Sequence, residues 1–421
     1  MGRLQATIVV LCVIPLILWF VIDPTLARFS STPLIFNSLG QITALLGFTL
    51  FAFNIVLAAR FPWVEKVFGP LNKMYVTHHL IGVSVWILLL IHPLGLVSTY
   101  GLGLLLPTYG NWARNLGLSA VLLLSALLIL TLFVKLPYEI WKATHKYLPV
   151  VFVIGAVHGL FVPSDVSASV ALTVYVSIVS FIAVVGGVYR SSPLSRFLVK
   201  KYKYKVSTVT QTGSVTEITL VPEKEHMVFI PGQFAFFKFQ IPGFTETHPF
   251  SIVYSNSSPL GMCIKSEGDY TSKIHSVPVG TPVLIEGPFG RFSYYFHNRA
   301  RQIWIAGGIG ITPFLSLAQS LPANGVYTTD LYYVVKNKEE AFKLEYLKQL
   351  ETQKKGLTVI PIFTNSEGHL TAEQVVEKSK NISRADIFVC GPPPMMKSLR
   401  AQFNRLGIRH GHIHTEEFSL N

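Results

Sequence analysis

The chain has 421 residues, half of them hydrophobic and only 14% charged, and carries a formal net charge of +13. So apolar a composition excludes a soluble single-domain protein, and its basic balance points to anionic lipid headgroups and phosphorylated ligands rather than nucleic acid, for which no aromatic and basic interleaving exists. Cys12, Cys263 and Cys390 form no CxxC pair, so neither a disulfide framework nor a zinc or iron–sulfur site is indicated.

Apolar runs fill the first 190 residues, and short strands, turns and charges fill the rest, so a membrane half (1–192) precedes a soluble half. At the N-terminus Arg3 precedes an apolar core, as in a signal peptide. The run from Ile8 to Ile22, however, ends at Asp23-Pro24 without a small-residue cleavage pattern, so a retained first span is expected. MGRLQA also lacks the Ser or Thr at its sixth position that myristoylation favours. Six stretches are long enough to cross about 30 Å of hydrocarbon: Leu4 to Ile22, Gly40 to Ala59, Tyr75 to Val97, Leu116 to Val134, His145 to Val162 and Ser169 to Val188. Arg3, Arg60, Lys66, Lys73, Lys135, Lys142, Lys146 and Arg190 fall on one side of the spans, and only Arg28 and Arg114 on the other. The positive-inside rule therefore predicts a cell-membrane protein whose N-terminus and soluble half are cytoplasmic.

Within these spans the third carries His78 and His92 and the fifth His145 and His158. Both spans run outward, so His78 and His145 share the inner level and His92 and His158 the outer. The fourteen-residue spacing rises about 21 Å and returns within roughly 40° of one face, whereas the adjacent His79 points elsewhere. Histidine is costly in lipid. Four at matched depths predict two haems, each held between two imidazoles; a packing or proton-path role for intramembrane histidine is the competing reading. No CxxCH motif is present, so such haems would be held non-covalently. The thirteen-residue spacing of His145 and His158 leaves them roughly 140° out of phase in an ideal helix, which predicts a kink or π-bulge at Pro149. Trp86 and Phe152 lie midway and could bridge electron transfer or simply fill the core.

The connector SSPLSRFLVKKYKYKVSTV is basic, as suits a strand beside anionic lipid. YKVSTVTQT, VTEITLVPE, QFAFFKFQI, HPFSIVYS, GMCIKS and PVLIEGPFG then read as strands of a small antiparallel barrel, residues 193–298. From 299 to 421 strands alternate with helices, as in a parallel sheet with crossover helices. The turn AGGIGITPF lies between a strand and a helix, where glycines can admit a dinucleotide pyrophosphate or can serve tight packing alone. Lys336 and Lys338 stand at the end of the second strand, where an acid would suit NADH. They favour a 2′-phosphate, hence NADPH over NADH, unless they are ordinary surface lysines.

HPFSIVYS, GDYTSKI, EGPFG, GGIGITPF, CGPPPM and a terminal EEFSLN occur in one order over about 170 residues. Together they resemble the ferredoxin–NADP reductase-like module of NADPH oxidases and ferric reductases, and the histidine pattern resembles the six-helix domain of that superfamily. The resemblance implies a multi-domain membrane protein: a six-helix bundle, a β-barrel FAD domain and an α/β Rossmann-like NAD(P) domain. His248, Pro249, Phe250 and Ser251 match the flavin-binding element, with Ser251 beside the reactive edge of the isoalloxazine, and Gly268 and Thr271 match residues that meet the FAD pyrophosphate. Gly307, Gly308, Gly310, Thr312 and Pro313 match the nucleotide turn. Cys390, Gly391 and Pro392 match the segment beside the nicotinamide, and Phe418 the aromatic that stacks on the flavin. Ser251, Cys390 and Phe418 are thus the residues expected nearest the chemistry. The implied activity carries electrons from NADPH through FAD and two haem b groups to oxygen, forming superoxide. Alternatives are ferric-chelate reduction, a haem conduit that feeds a protein partner, and, more remotely, a proton-coupled transporter. The sequence shows no DxDxDG loop, SH3-type tail or additional N-terminal domain, so constitutive activity with no obligatory protein partner is expected.

Overall fold

The computed structural model describes residues 3–22, 26–69, 71–192, 194–254, 259–380 and 382–416. It divides into two compact units, Met1–Val199 and Lys200–Asn421. The first includes a helical turn, Ser195–Leu198, after the last span.

Among the described residues six spans of 20 to 28 residues are apolar enough to cross a membrane. Each is at least as long as about 30 Å of hydrocarbon requires, and a helix satisfies its backbone groups internally where no water can. The protein is an integral membrane protein. The first unit's helices of eight or more residues are α1 (Arg3–Ile22), α2 (Thr32–Ala58), α3 (Leu71–Tyr100), α4 (Trp112–Leu132), α5 (Tyr138–His145), α6 (Leu148–Phe161) and α7 (Val170–Ser191). Helix α2 runs through the centre, packed along α3 and α7, and buries Phe51, Ile55 and Leu57. Two of its buried hydroxyls are paired: Thr43 Oγ1 donates to Gly40 O at 3.0 Å, and Thr49 Oγ1 lies 3.0 Å from the Tyr175 hydroxyl. Leu80, Ile87 and Leu94 of α3 are more than half exposed, which marks a lipid-facing stripe.

The fifth span is two helices rather than one bent helix. Helix α5 stops at His145, Lys146 and Tyr147 turn, and Pro149 sits in the first turn of α6. Proline lacks the N–H that would reach the His145 carbonyl four residues back, and its ring collides with that carbonyl. In a first turn both problems vanish. The break therefore falls just ahead of the proline, where the sequence predicts a kink or π-bulge centred on it.

The second unit begins with β1 (Tyr202–Thr212), β2 (Val215–Pro222), β3 (Phe234–Phe239), β4 (His248–Ser251), β5 (Leu260–Lys265) and β6 (Pro282–Phe289). They pair antiparallel in the order β4-β3-β6-β1-β2-β5. The hydrogen bond from Val253 N to Gly261 O, 2.9 Å, draws the two edge strands together. Tyr204, Ile218, Phe237, Phe239, Met262 and Ile285 fill the interior.

A parallel sheet follows, of β7 (Arg301–Gly307), β8 (Thr328–Val335), β9 (Leu357–Phe363), β10 (Asp386–Cys390) and β11 (Ile413–Glu416), in the order β11-β10-β7-β8-β9. Four of these strands are evident in the sequence; β11 is too short and polar to announce itself. Crossovers carry α8 (Thr312–Ser320), α9 (Leu344–Gln353), α10 (Ala372–Lys378) and α11 (Pro393–Arg405). Barrel and sheet share one core, in which Val215, Val253 and Cys263 meet Trp304 and Phe314. Lys343 Nζ lies 2.8 Å from Glu217 Oε2, whose other oxygen accepts from the Tyr254 hydroxyl at 2.5 Å.

Candidate functional site

The bundle brings its four histidines together in two pairs. Ring centroids of His78 and His145 are 6.0 Å apart, and those of His92 and His158 are 6.4 Å apart. An iron with an imidazole nitrogen on each side, at about 2 Å, requires ring centroids about 6.3 Å apart. Both pairs meet that spacing. Three of the rings have their Nδ1 directed at a backbone carbonyl: His78 to Asn54 O at 3.3 Å, His92 to Gly40 O at 2.9 Å, and His158 to Ala113 O at 2.8 Å. A carbonyl only accepts, so Nδ1 carries the proton and Nε2 presents its lone pair across the gap. His79, by contrast, is exposed.

Close helix contacts place those carbonyls. A methyl on Gly95 of α3 would come within 2.5 Å of Phe36 O and 2.9 Å of Gly40 Cα, so α2 and α3 touch backbone to backbone where His92 meets Gly40. A methyl on Gly117 would lie 2.5 Å from the His158 ring. His145 is held differently. Its Nδ1 is buried without a hydrogen-bond partner among the described residues, and the Trp141 indole stacks on the ring at 5.2 Å and 19°. Trp141 precedes His145 by one helical turn, a spacing visible in WKATH. Sequence reasoning passed over it, as it did Gly117. Phe152, one of the two proposed bridging aromatics, is fully buried and stacks on Phe48 at 4.8 Å with Phe51 edge-on. Trp86 donates its indole N–H to Ser125 Oγ at 3.0 Å.

In the second unit HPFS forms β4, antiparallel to β3. Ser251 is buried, while His248, Pro249 and Phe250 are half-buried. His248 meets Glu246 Oε2 at 2.9 Å and its ring lies 3.9 Å from that of Tyr270. The Thr271 hydroxyl accepts from Gly268 N at 2.9 Å and Glu267 N at 3.0 Å, which holds the loop before it closed.

The glycine-rich turn lies where the sheet order reverses, between β7 and β10, the place where an open parallel sheet admits ligands. Two glycines there do different work. A Cβ on Gly310 would strike Cys390 O at 2.3 Å, so this glycine lets the two turns meet. Gly308 has φ +53 and nothing within 4 Å of its missing side chain, so its backbone faces open space. Gly307 and Gly391 are similarly crowded by Met395, and Thr312 and Pro313 start α8 beside them. Pro392 precedes α11. Cys390 is fully buried, and burial followed by the Glu416 carboxylate pushes its thiol well above the ordinary range. It is a neutral thiol whose backbone, rather than its sulfur, borders the turn. Lys336 is exposed and 4.0 Å from Glu340; Lys338 lines a cavity of about 220 Å³ with Ala341, Lys343, Leu344 and Glu345. Phe418 lies outside the described residues.

Three family profiles match the chain in succession. "Ferric reductase like transmembrane component" matches residues 43–156, "FAD-binding domain" residues 198–293 and "Oxidoreductase NAD-binding domain" residues 304–401. The chain belongs to the ferric reductase and NADPH oxidase superfamily. As a member it combines a ferric reductase-like membrane domain with a flavin and nicotinamide module, the arrangement of an electron-transfer oxidoreductase. The 2-halobenzoate 1,2-dioxygenase electron transfer component of Burkholderia cepacia is 30% identical over 239 residues, 50% of this chain and 68% of that one. A flavohemoprotein of Bacillus cereus is 26% identical over 51% of this chain and 59% of its own length. Among solved structures, the flavohemoglobin of Malassezia yamatoensis has a similar fold, with a TM-score of 0.50 at 19% identity, covering 77% of this chain and 91% of that one.

Proposed function

We propose that the protein oxidises NADPH on the cytoplasmic side and reduces oxygen to superoxide across the membrane, with FAD and two haem b groups as carriers. The two imidazole pairs at haem-bridging distance, joined in one chain to a flavin and nicotinamide module, carry this reading. When bound, FAD takes up a hydride and releases electrons singly, and each haem iron relays one electron at a time.

The chain's own residues bind and orient. His78 with His145, and His92 with His158, would hold the haems, and the carbonyls of Asn54, Gly40 and Ala113 fix three of the tautomers. With His92 and His158 both holding that haem, the acceptor would receive its electron at the edge of the site rather than by binding the iron. His248 to Ser251, Gly268 and Thr271 would contact FAD, with Phe418 over the ring. Gly307, Gly308, Gly310, Thr312 and Pro313 would receive the NADPH pyrophosphate, and Gly391 and Pro392 would border the nicotinamide beside Cys390. Lys336 and Lys338 would favour the 2′-phosphate over NADH. The excess of lysine and arginine on one side of the spans supports the cytoplasmic placement of the second unit.

Ferric-chelate reduction is the second reading, favoured by the description of the membrane family itself. Two assays on the purified, cofactor-loaded protein separate them: superoxide-dismutase-sensitive cytochrome reduction in air, and ferric-chelate reduction without oxygen. Activity only in the second would refute oxygen as the acceptor, and NADPH turnover in neither would favour a protein partner.

A further inference from the structure

A histidine and carboxylate cluster lies in the second unit, apart from the nucleotide turn. His297, in the connector leaving the barrel, His414 on β11 and Asp386 at the start of β10 each present a ligand atom, all within 4.8 Å of one another. Asp386 is buried and the two imidazoles are half-buried. The rings of His297 and His414 lie 3.8 Å apart, and His414 Nε2 is 3.5 Å from Asp386 Oδ1. Cys390 closes the opposite end of β10, four residues or about 13 Å away, so the cluster is separate from the nucleotide turn.

A second layer orients the carboxylate. Arg299 Nη2 is 2.9 Å from His412 Nε2, and a guanidinium only donates, so Nε2 accepts and Nδ1 carries the proton. That Nδ1 donates to Asp386 Oδ1 at 2.9 Å. His412 is thereby a fixed donor to the carboxylate and not itself a ligand, the arrangement in which outer partners support metal-binding oxygens. Arg299 also donates to Ala385 O at 2.8 Å and Ser383 O at 3.3 Å, so its charge is shared among three acceptors. Arg291, over the Phe296 ring at 4.8 Å, is a cation that acts on His297.

We infer that His297, Asp386 and His414 form a binding site for a divalent transition metal of the zinc class. Two imidazoles and one carboxylate, with no thiolate, suit borderline cations such as Zn²⁺, whereas Ca²⁺ and Mg²⁺ seek shells of oxygen. Tetrahedral ligands lie about 3.3–3.5 Å from one another, so metal entry draws the half-buried His297 ring toward Asp386. The site joins the connector that leaves the barrel to the last strand of the sheet. A bound ion thus clips together the two ends of the nicotinamide domain.

Zn²⁺ alone is the probe, given to the full-length, cofactor-loaded protein in detergent and measured by equilibrium dialysis against a competing chelator. One equivalent should bind, with a first shell of nitrogen and oxygen and imidazole scattering in the zinc X-ray absorption spectrum. His297→Gln and His414→Gln should each weaken binding at least tenfold with flavin content unchanged, and His412→Ala about tenfold by freeing the carboxylate. Equal affinity in wild type and both Gln variants, or sulfur in the first shell, would overturn the site. If His414→Gln loses flavin, His297→Gln, in the connector, decides the question.

Discussion

Gly117→Ala tests the His92–His158 pair through a contact that only the tertiary structure reveals. The added methyl would stand 2.5 Å from His158 Cε1 and 2.6 Å from Nδ1. To reach ordinary contact the ring must retreat by about 0.9 Å, more than a well-packed site yields without strain. It has little freedom to do so, because Nδ1 is tied at 2.8 Å to the carbonyl of Ala113, on the same helix as the new methyl. A comparable displacement carries that bond beyond hydrogen-bonding range. Losing an outer partner of a metal-ligating histidine weakens binding about 10- to 100-fold, or roughly 1.4–2.7 kcal/mol. Haem per chain, measured by pyridine haemochrome after exposure to a haem-scavenging protein, should fall from two toward one. The His78–His145 level serves as the internal control. Two haems retained with unchanged potentials would refute the claim that Gly117 and Ala113 together set the His158 ring.

Other outcomes follow from the same geometry. His92→Leu should remove one haem and abolish acceptor reduction, while stopped-flow reduction of the flavin by NADPH keeps its rate. The double change Lys336→Glu and Lys338→Glu should raise KM for NADPH about 30-fold, since two exposed phosphate contacts contribute roughly 1 kcal/mol each, and leave KM for NADH nearly unchanged. An equal change for both nucleotides would return these lysines to the ordinary surface. Glu217→Ala leaves the Lys343 ammonium and Tyr254 hydroxyl without their shared carboxylate, 16% exposed in its side chain. It should cost about 2–3 kcal/mol and lower the melting temperature of the second unit in scanning fluorimetry.

Local chemistry made much of this protein legible in one dimension. Long apolar runs can only be helices in lipid, so six spans follow from composition, and a polar imidazole inside such a run stands out because its placement is costly. The fourteen-residue spacing that sets His78 and His92 on one face is a property of a single helix, as is the choice of His78 over His79. Alternating strands and the glycine-rich turn at Gly307 to Gly310 are likewise written in short-range pattern. What depends on partners distant in sequence was not legible. That His92 binds the carbonyl of Gly40, 52 residues away, and His158 that of Ala113, 45 away, follows from how closely helices cross. Proline's missing N–H predicts a disruption near Pro149, yet whether the span bends or divides depends on where its backbone groups find partners, and it divides at Lys146 and Tyr147. Strand β11 exists because β10 offers it an edge, and with it comes the meeting of His297, Asp386 and His414, residues spread over more than a hundred positions. Sequence determined which residues are chemically able to act. Tertiary packing, which sets distances between residues remote in the chain, decided which of them stand together.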